Sequence, residues 1–193
     1  MTLLQHERPP FESLAQAQSD FLAQLLTLTG DTRLLWLPEG DDTTTATDKS
    51  LNAKTITWDA TVAARLSRLG KGYAQSFSGT GQFGTVPDAD NLSFNGTTDQ
   101  AFSILVLCNP SAQAAVRKLV TKEAASNNEY FFHLGSTDLL TFGCYDQSAS
   151  AATETRLASG AITEGAWQLL AGTYDGGGDT TASAGMAWAD SPA

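Results

Sequence analysis

The sequence predicts an all-β protein, an antiparallel β-sandwich or barrel preceded by an amphipathic helix. After residue 30 the chain breaks into many short apolar runs separated by turns rich in Gly, Asn, Asp and Pro, which is typical of sandwiches and barrels. Of the 193 residues, 41% are hydrophobic and 17% are charged. The polar surface must therefore come largely from Thr, Ser, Gly, Asn and Gln, a composition that suits short strands and turns.

The N-terminal region differs from the rest because its apolar residues follow helical spacing. This stripe predicts a helix over residues 11–28, which Pro9 and Pro10 can open and Gly30 can end. We divide the chain into an arm and helix (1–32) and a β-domain (33–193). A helix of about five turns is marginal in water unless its apolar face is covered. The face packs either on the β-domain or on a partner or neighbouring copy, and the candidate partner-binding residues are Phe11, Leu14, Phe21, Leu25 and Leu28.

The predicted strands follow at sandwich-like spacing. The run Phe102–Cys108 is almost entirely apolar and is ended by Asn109 and Pro110, which predicts a central strand. The run Trp167–Tyr174 alternates, and we expect its Trp167 and Leu169 face to supply a core anchor. Residues 41–52 are expected to form a Thr/Asp-rich loop. Further strands are predicted at 34–37, 73–78, 83–86, 116–122, 129–134, 139–145 and 182–189.

The order of several motifs resembles the laminin-G-like family. The clearest match is the segment Gly165–Gly176, and weaker matches lie at 34–40, 43–52, 73–79, 85–92 and 102–104, with Lys122 and Tyr130 as a further pair. The resemblance covers roughly residues 33–190 and implies a concanavalin A-like jelly roll. The family continues with further strands beyond this region. We therefore expect that the sheets close differently, that the sequence is incomplete, or that another chain supplies strands.

Charge and hydropathy exclude two classes of partner. The formal net charge is −10, and an acidic chain repels phosphate backbones, so nucleic-acid binding is not expected. No apolar stretch reaches the roughly 18 residues of a membrane span, and residues 1–10 do not form a signal peptide. Cys108 and Cys144 lie in apolar runs, which favours reduced, buried thiols; one disulfide is the alternative.

Three patterns could indicate catalysis, and each has a simpler interpretation. The glycine motif at 79–84 is followed by a strand end and a turn, whereas a dinucleotide site requires a helix. Glu39 and Asp41 resemble paired glycosidase carboxylates, but the third acidic residue is missing. His133 has no accompanying nucleophile motif, which favours a strand histidine. We therefore expect no catalytic residue, no cofactor and no enzyme.

Two oxygen-rich turns leave calcium open as an alternative. The resemblance to sandwiches that bind Ca²⁺ through such loops makes Asp88, Asp90 and Asn91, and separately Asp175 and Asp179, possible ligands. The simpler interpretation is that these side chains stabilise turns. We assign no metal site.

We expect a non-enzymatic structural or adhesion protein on the surface of a bacteriophage virion. A recognition-type fold without an export signal suits a protein made in the host cytoplasm and released by lysis. A capsid decoration or head-fibre role is favoured over a tail fibre. The expected partners are other virion proteins and copies of itself, and possibly a host-surface glycan. The alternatives are a carbohydrate-binding module using Trp36, Trp58, Trp167 or Trp188, and a sandwich-fold glycosidase.

Overall fold

In the computed structural model the described residues form antiparallel sheets, which confirms the all-β prediction for that part of the chain. Within the described residues the sole helical element is a 3-10 turn, Asp90–Leu92. The described residues are 32–36, 38, 44–59, 63–66, 73–79, 81–94, 100–111, 115–124, 128–136, 139–146, 151–158 and 160–176.

The strands of the described part are numbered in chain order. They are β1 (Thr45–Thr47), β2 (Thr55–Trp58), β3 (Ala63–Leu66), β4 (Tyr73–Ser76), β5 (Gly84–Thr85), β6 (Phe102–Cys108), β7 (Arg117–Lys122), β8 (Tyr130–Leu134), β9 (Leu140–Asp146), β10 (Ala151–Arg156) and β11 (Gln168–Tyr174).

The chain divides into two compact units, residues 1–87 and 88–193. The predicted arm and helix (1–32), with the apolar stripe Phe11, Leu14, Phe21, Leu25 and Leu28, lies outside the described residues except for Thr32. The boundary at residue 32 therefore stays a prediction, as does the strand at 182–189.

The first unit contains the sheet β1-β2-β5 and the separate pair β3-β4. Its core is formed by Ala46, Ile56 and Trp58, against which Trp36 and Val86 pack. β1 lies inside the segment expected to be a loop. Its Thr-Ala-Thr sequence pairs antiparallel with β2, which buries Ala46 opposite Ile56. β-branched threonine favours a pleated, half-buried surface, and this preference prevails over the turn-forming Asp residues nearby.

Residues 34–36 do not form the predicted strand. Their backbone is held instead by one buried carboxylate. Leu35 N–H donates to Asp48 Oδ1 at 2.8 Å, and Leu35 C=O accepts from Lys49 N–H at 2.6 Å. The Asp48 side chain thus takes the place of a sheet partner for this segment.

The second unit contains two antiparallel sheets, ordered β10-β9-β8-β7 and β11-β6. Both sheets contribute to one hydrophobic cluster. Phe132, Leu134, Leu140 and Phe142 come from the first sheet and Leu170 from the second. The Phe102 and Phe142 rings meet edge to face with centroids 5.6 Å apart, which joins β6 to β9. This shared core positions the surface described next.

Candidate functional site

The outward side of β6 and β11 is an exposed apolar surface. We call it the apolar face, and it consists of Ser103, Leu105, Leu107, Leu169, Ala171 and Thr173. The exposed fractions of its leucines are 62% for Leu105, 67% for Leu107 and 42% for Leu169. Isolated exposed leucines are ordinary in proteins, but a contiguous group of this kind marks an interaction site.

The face is contiguous because β6 and β11 pair over seven residues each. Leu107 lies opposite Leu169, Leu105 lies opposite Ala171, and Ser103 lies opposite Thr173. Cross-strand neighbours on one face of an antiparallel pair have Cβ atoms roughly 5 Å apart, so the three leucines adjoin one another. Because side chains alternate along a strand, the intervening residues point to the core.

Gly172 and Gln168 fix which side of β11 faces inward. A Cβ at Gly172 would lie 2.6 Å from Cδ2 of Phe142, so a glycine is required where the aromatic ring crosses the strand. Gln168 is buried and forms two hydrogen bonds with the Thr163 backbone: its Nε2 donates to Thr163 C=O at 2.6 Å, and its Oε1 accepts from Thr163 N–H at 3.1 Å. These contacts turn Leu169 outward.

This arrangement bears on two expectations. Leu169 lies on the outer face and Trp167, half-buried, precedes the strand, so the core face is the Gln168 and Leu170 side rather than the Trp167 side. The run Phe102–Cys108 is a strand as predicted, but its burial alternates, and in the described part of the chain it pairs only with β11. Among the described residues β6 thus has one strand partner, whereas the expected central strand would have two.

The apolar face carries no ionisable side chain, so its available chemistry is the removal of apolar surface from water. The sequence analysis did not identify this surface. The signal in the sequence is the pair Leu105 and Leu107, which alternate with the core-facing apolar residues of 102–108. Once one side of that run faces a core, the other side is necessarily apolar and needs a cover.

A polar cluster, separate from the apolar face, lies around Lys122. Lys122 Nζ lies 2.8 Å from Glu129 Oε1 and 2.9 Å from Asp88 Oδ1, and it also donates to Ser93 Oγ. The Ser93 hydroxyl donates to Glu129 Oε1 at 3.2 Å. The ammonium thus joins the 3-10 turn to the β7–β8 hairpin through all three of its donors.

The electrostatics of this cluster follow from those contacts. The hydrogen bond from Lys122 and its positive charge lower the pKa of Asp88. Burial works to lower the pKa of Lys122, but its hydrogen bonds and charge interactions with Glu129 and Asp88 outweigh it and raise that pKa. Burial, followed by the charge of Glu129, raises the pKa of Tyr130 to about 12. The resemblance paired Lys122 with Tyr130, which are neighbours in the β7–β8 register.

This cluster bears directly on the possible calcium loop. Asp88 forms an ion pair with Lys122, so the ammonium group of Lys122 lies where a calcium ion would contact the Asp88 carboxylate. Within the described residues no group of three or more His, Cys, Asp or Glu side chains is arranged to hold a metal ion. Asp179 of the second loop lies outside those residues.

His133 lies on the side of the four-stranded sheet that faces away from the core. Its ring stacks on that of Phe131 with centroids 5.2 Å apart, and Phe131 also contacts Tyr145 at 5.4 Å. Burial lowers the pKa of His133, opposed in part by the carboxylates of Glu123 and Glu154. A ring packed on an aromatic neighbour within β8 fits the expected strand histidine.

The described residues of the glycine motif at 79–84, which leave out residue 80, precede a strand. Gly79 and Gly81 have φ values of 80° and 63°, and Gly84 begins β5 rather than a helix. A Cβ at Gly84 would lie 2.3 Å from Cζ3 of Trp58, so this glycine allows the ring to lie against the strand. The paired acids Glu39 and Asp41 lie outside the described residues.

The remaining residues that the sequence analysis named are tryptophans and cysteines. Trp36 and Trp58 contact each other at 5.0 Å in the core of the first unit, which leaves Trp58 buried rather than available as a stacking platform. Trp188 lies outside the described residues. Cys108 and Cys144 are free thiols, as the favoured interpretation predicts, but both are half-buried rather than buried. Burial raises the pKa of Cys108 to about 11.

None of the helical structure in the described segments is long and apolar enough to cross a membrane. Comparison with known proteins identifies no family model, curated protein or solved structure that matches this chain.

Proposed function

We propose that this chain is a non-enzymatic structural protein of a bacteriophage virion surface, of the capsid decoration or head-fibre type. The single observation that carries the proposal is the apolar face, because exposed leucines on an ordered sheet serve to bind another surface. The expected partners are other virion proteins and copies of the chain itself.

The fold assigned under this proposal is a laminin-G-like β-sandwich. Its support is the shared core of the second unit, to which both antiparallel sheets contribute. Two sheets that bury their inner faces against one another form a sandwich core about 10 Å thick. In the motif segment Gly165–Gly176, β11 pairs with β6 over its full length.

The virion assignment also rests on the character of the chain. A structural protein of a particle needs surfaces that hold neighbours in place, and it needs no ionisable cluster at that surface. The uncharged apolar face meets the first requirement within a chain of net charge −10. An assembly surface depleted of charge at its centre is the pattern that protein interfaces share.

The test is incorporation into particles. A tagged copy is expressed during particle assembly in the source host, and purified particles are examined by immunogold electron microscopy. We expect regular labelling of the particle surface. We also expect Leu107→Glu to lose labelling, because a carboxylate would be buried at the contact.

Leu51→Glu is the matched control, since Leu51 is 96% exposed and the substitution is the same. Its labelling should equal that of the wild type. Particles that carry no label while the tagged chain remains in the unassembled fraction would refute the virion assignment.

A further inference from the structure

We propose that the apolar face binds the apolar face of a second copy, about a two-fold axis that runs parallel to β6 and β11. This inference rests on the proposed function, since it names the partner of the same surface.

The net negative charge of the chain disfavours contact between two copies except at an uncharged surface such as the apolar face. With a net charge of −10, two copies repel each other wherever their acidic surfaces approach. The six residues of the apolar face carry no charge and include three leucines. Contact there brings two copies together without placing like charges opposite one another.

The face is also complementary to itself. In a two-fold contact, residue i meets residue j and residue j meets residue i. With the axis parallel to the strands, β6 of one copy lies over β11 of the other. Each β6 residue then faces, in the other copy, the same β11 residue that is its cross-strand partner in its own copy. Leu107 then meets Leu169, and Leu105 fills the space above Ala171.

At the remaining row Ser103 meets Thr173, so polar side chains meet polar side chains. The large-to-small step between Leu105 and Ala171 is reciprocal, which lets both leucines settle at once. All three rows are satisfied by this single axis. A two-fold axis across the strands through the central row would instead place Leu107 opposite Ser103, an apolar side chain against a polar one.

The size of the face sets the strength of the contact. Two strands of seven residues cover roughly 24 Å by 10 Å, or about 240 Å² per copy, from the usual strand rise and spacing. Stable complexes bury about 800 Å² per partner. The isolated chain is therefore expected to form a weak, concentration-dependent dimer that repetition on a particle would reinforce.

The test exploits the predicted contact between Leu107 of one copy and Leu169 of the other. Sedimentation equilibrium is run on Leu107→Glu alone, on Leu169→Lys alone and on an equimolar mixture. Each variant alone should dimerise at least about tenfold more weakly than the wild type, because it buries an unpaired charge. The mixture should recover a heterodimer, since Glu and Lys then meet at one site and Leu107 and Leu169 at the other.

Leu51→Glu controls for added charge at an exposed leucine and should leave the dimer unchanged. Circular dichroism confirms that each variant retains its strands. A wild-type chain that stays monomeric at millimolar concentration overturns the second-copy inference, as does a mixture no tighter than its components. Particle labelling with a monomeric chain would still uphold the proposed function, whereas a dimer without particle labelling would refute only that function.

Discussion

Lys122 contacts Asp88, Ser93 and Glu129 in the second unit. Its ammonium is the counter-ion of Glu129, whose exposed fraction is 4%. A buried ion pair contributes little net stability, but removing one partner leaves the other charge uncompensated. Replacing both residues of the pair should therefore lower the free energy of unfolding less than replacing only one of them.

Substituting Lys122→Met should lower the free energy of unfolding by about 3 kcal/mol, because the Glu129 carboxylate is left buried without a counter-ion. Urea denaturation followed by circular dichroism measures this change. The control is Lys118→Met, whose exposed pair with Glu123 should be worth less than about 1 kcal/mol. The double variant Lys122→Met, Glu129→Gln should recover part of the loss, and equal effects of the two lysine variants would contradict the account.

Asp48 provides the corresponding test in the first unit. Its carboxylate accepts hydrogen bonds from the backbone of Leu35 and Ser50 and from the Ser50 hydroxyl at 2.7 to 2.8 Å, and from Lys54 N–H at 3.2 Å. Burial raises its pKa, but these hydrogen bonds outweigh burial and hold the pKa below its ordinary value of 3.8. Stability from this group is therefore present above that value and is lost as the pH falls through the folded-state pKa.

The variant Asp48→Asn should lose about 2 kcal/mol of unfolding free energy at pH 7, since hydrogen bonds to a charged acceptor are the stronger kind. The difference from the wild type should persist at pH 5 and shrink below pH 3.8. Urea denaturation followed by tryptophan fluorescence reports on this unit through Trp58. Asp59→Asn, at an exposed carboxylate, is the control, and a difference that grew with acidity would contradict the assigned charge state.

At the scale of elements, close aromatic packing on glycine holds β8 to β9. Phe131 lies over Gly143 on the neighbouring strand, where a Cβ would come within 2.3 Å of the ring. The exposed fraction of Phe131 is 5%, although the residue points away from the main core. The glycine is what allows an aromatic side chain to be buried on this side of the sheet.

Substituting Gly143→Ala should therefore cost about 1 to 3 kcal/mol, the usual range for overpacking at a buried site. Thermal unfolding monitored by circular dichroism gives the comparison. Gly135→Ala serves as the control, because a Cβ there would contact Leu139 at an ordinary 3.4 Å. If the two variants unfolded at the same temperature, the Phe131 packing would not be what the structure indicates.

Strand positions could be predicted from the sequence where apolar runs were long. Which side of each strand faces the core could not be predicted. The run Phe102–Cys108 matches β6 because turn residues bound it. β10 was missed, since Ala-Ala-Thr-Glu-Thr-Arg has neither an apolar run nor a clear turn on both sides. The inward side of β11 depended on Phe142 crossing Gly172, a long-range contact that alternation along β11 does not encode.

At the scale of the whole molecule, composition correctly indicated an all-β chain, but the candidate site came from the structure. The apolar stripe Phe11, Leu14, Phe21, Leu25 and Leu28 was the predicted partner-binding surface and stays a prediction. The apolar face emerged only when pairing between β6 and β11 placed Leu105, Leu107 and Leu169 together. Strands 60 residues apart in sequence meet there, so local patterns could not reveal the surface.

The most direct test of the central claim, that copies of this chain assemble with one another, is the mass of the purified 193-residue chain by light scattering over a range of concentrations, with and without a chelator. We predict a mass that rises above that of the 20.3 kDa monomer as concentration increases. We also predict that the chelator has no effect, because Lys122 rather than a metal ion neutralises Asp88. A mass that stays at the monomer value at every concentration would contradict the claim.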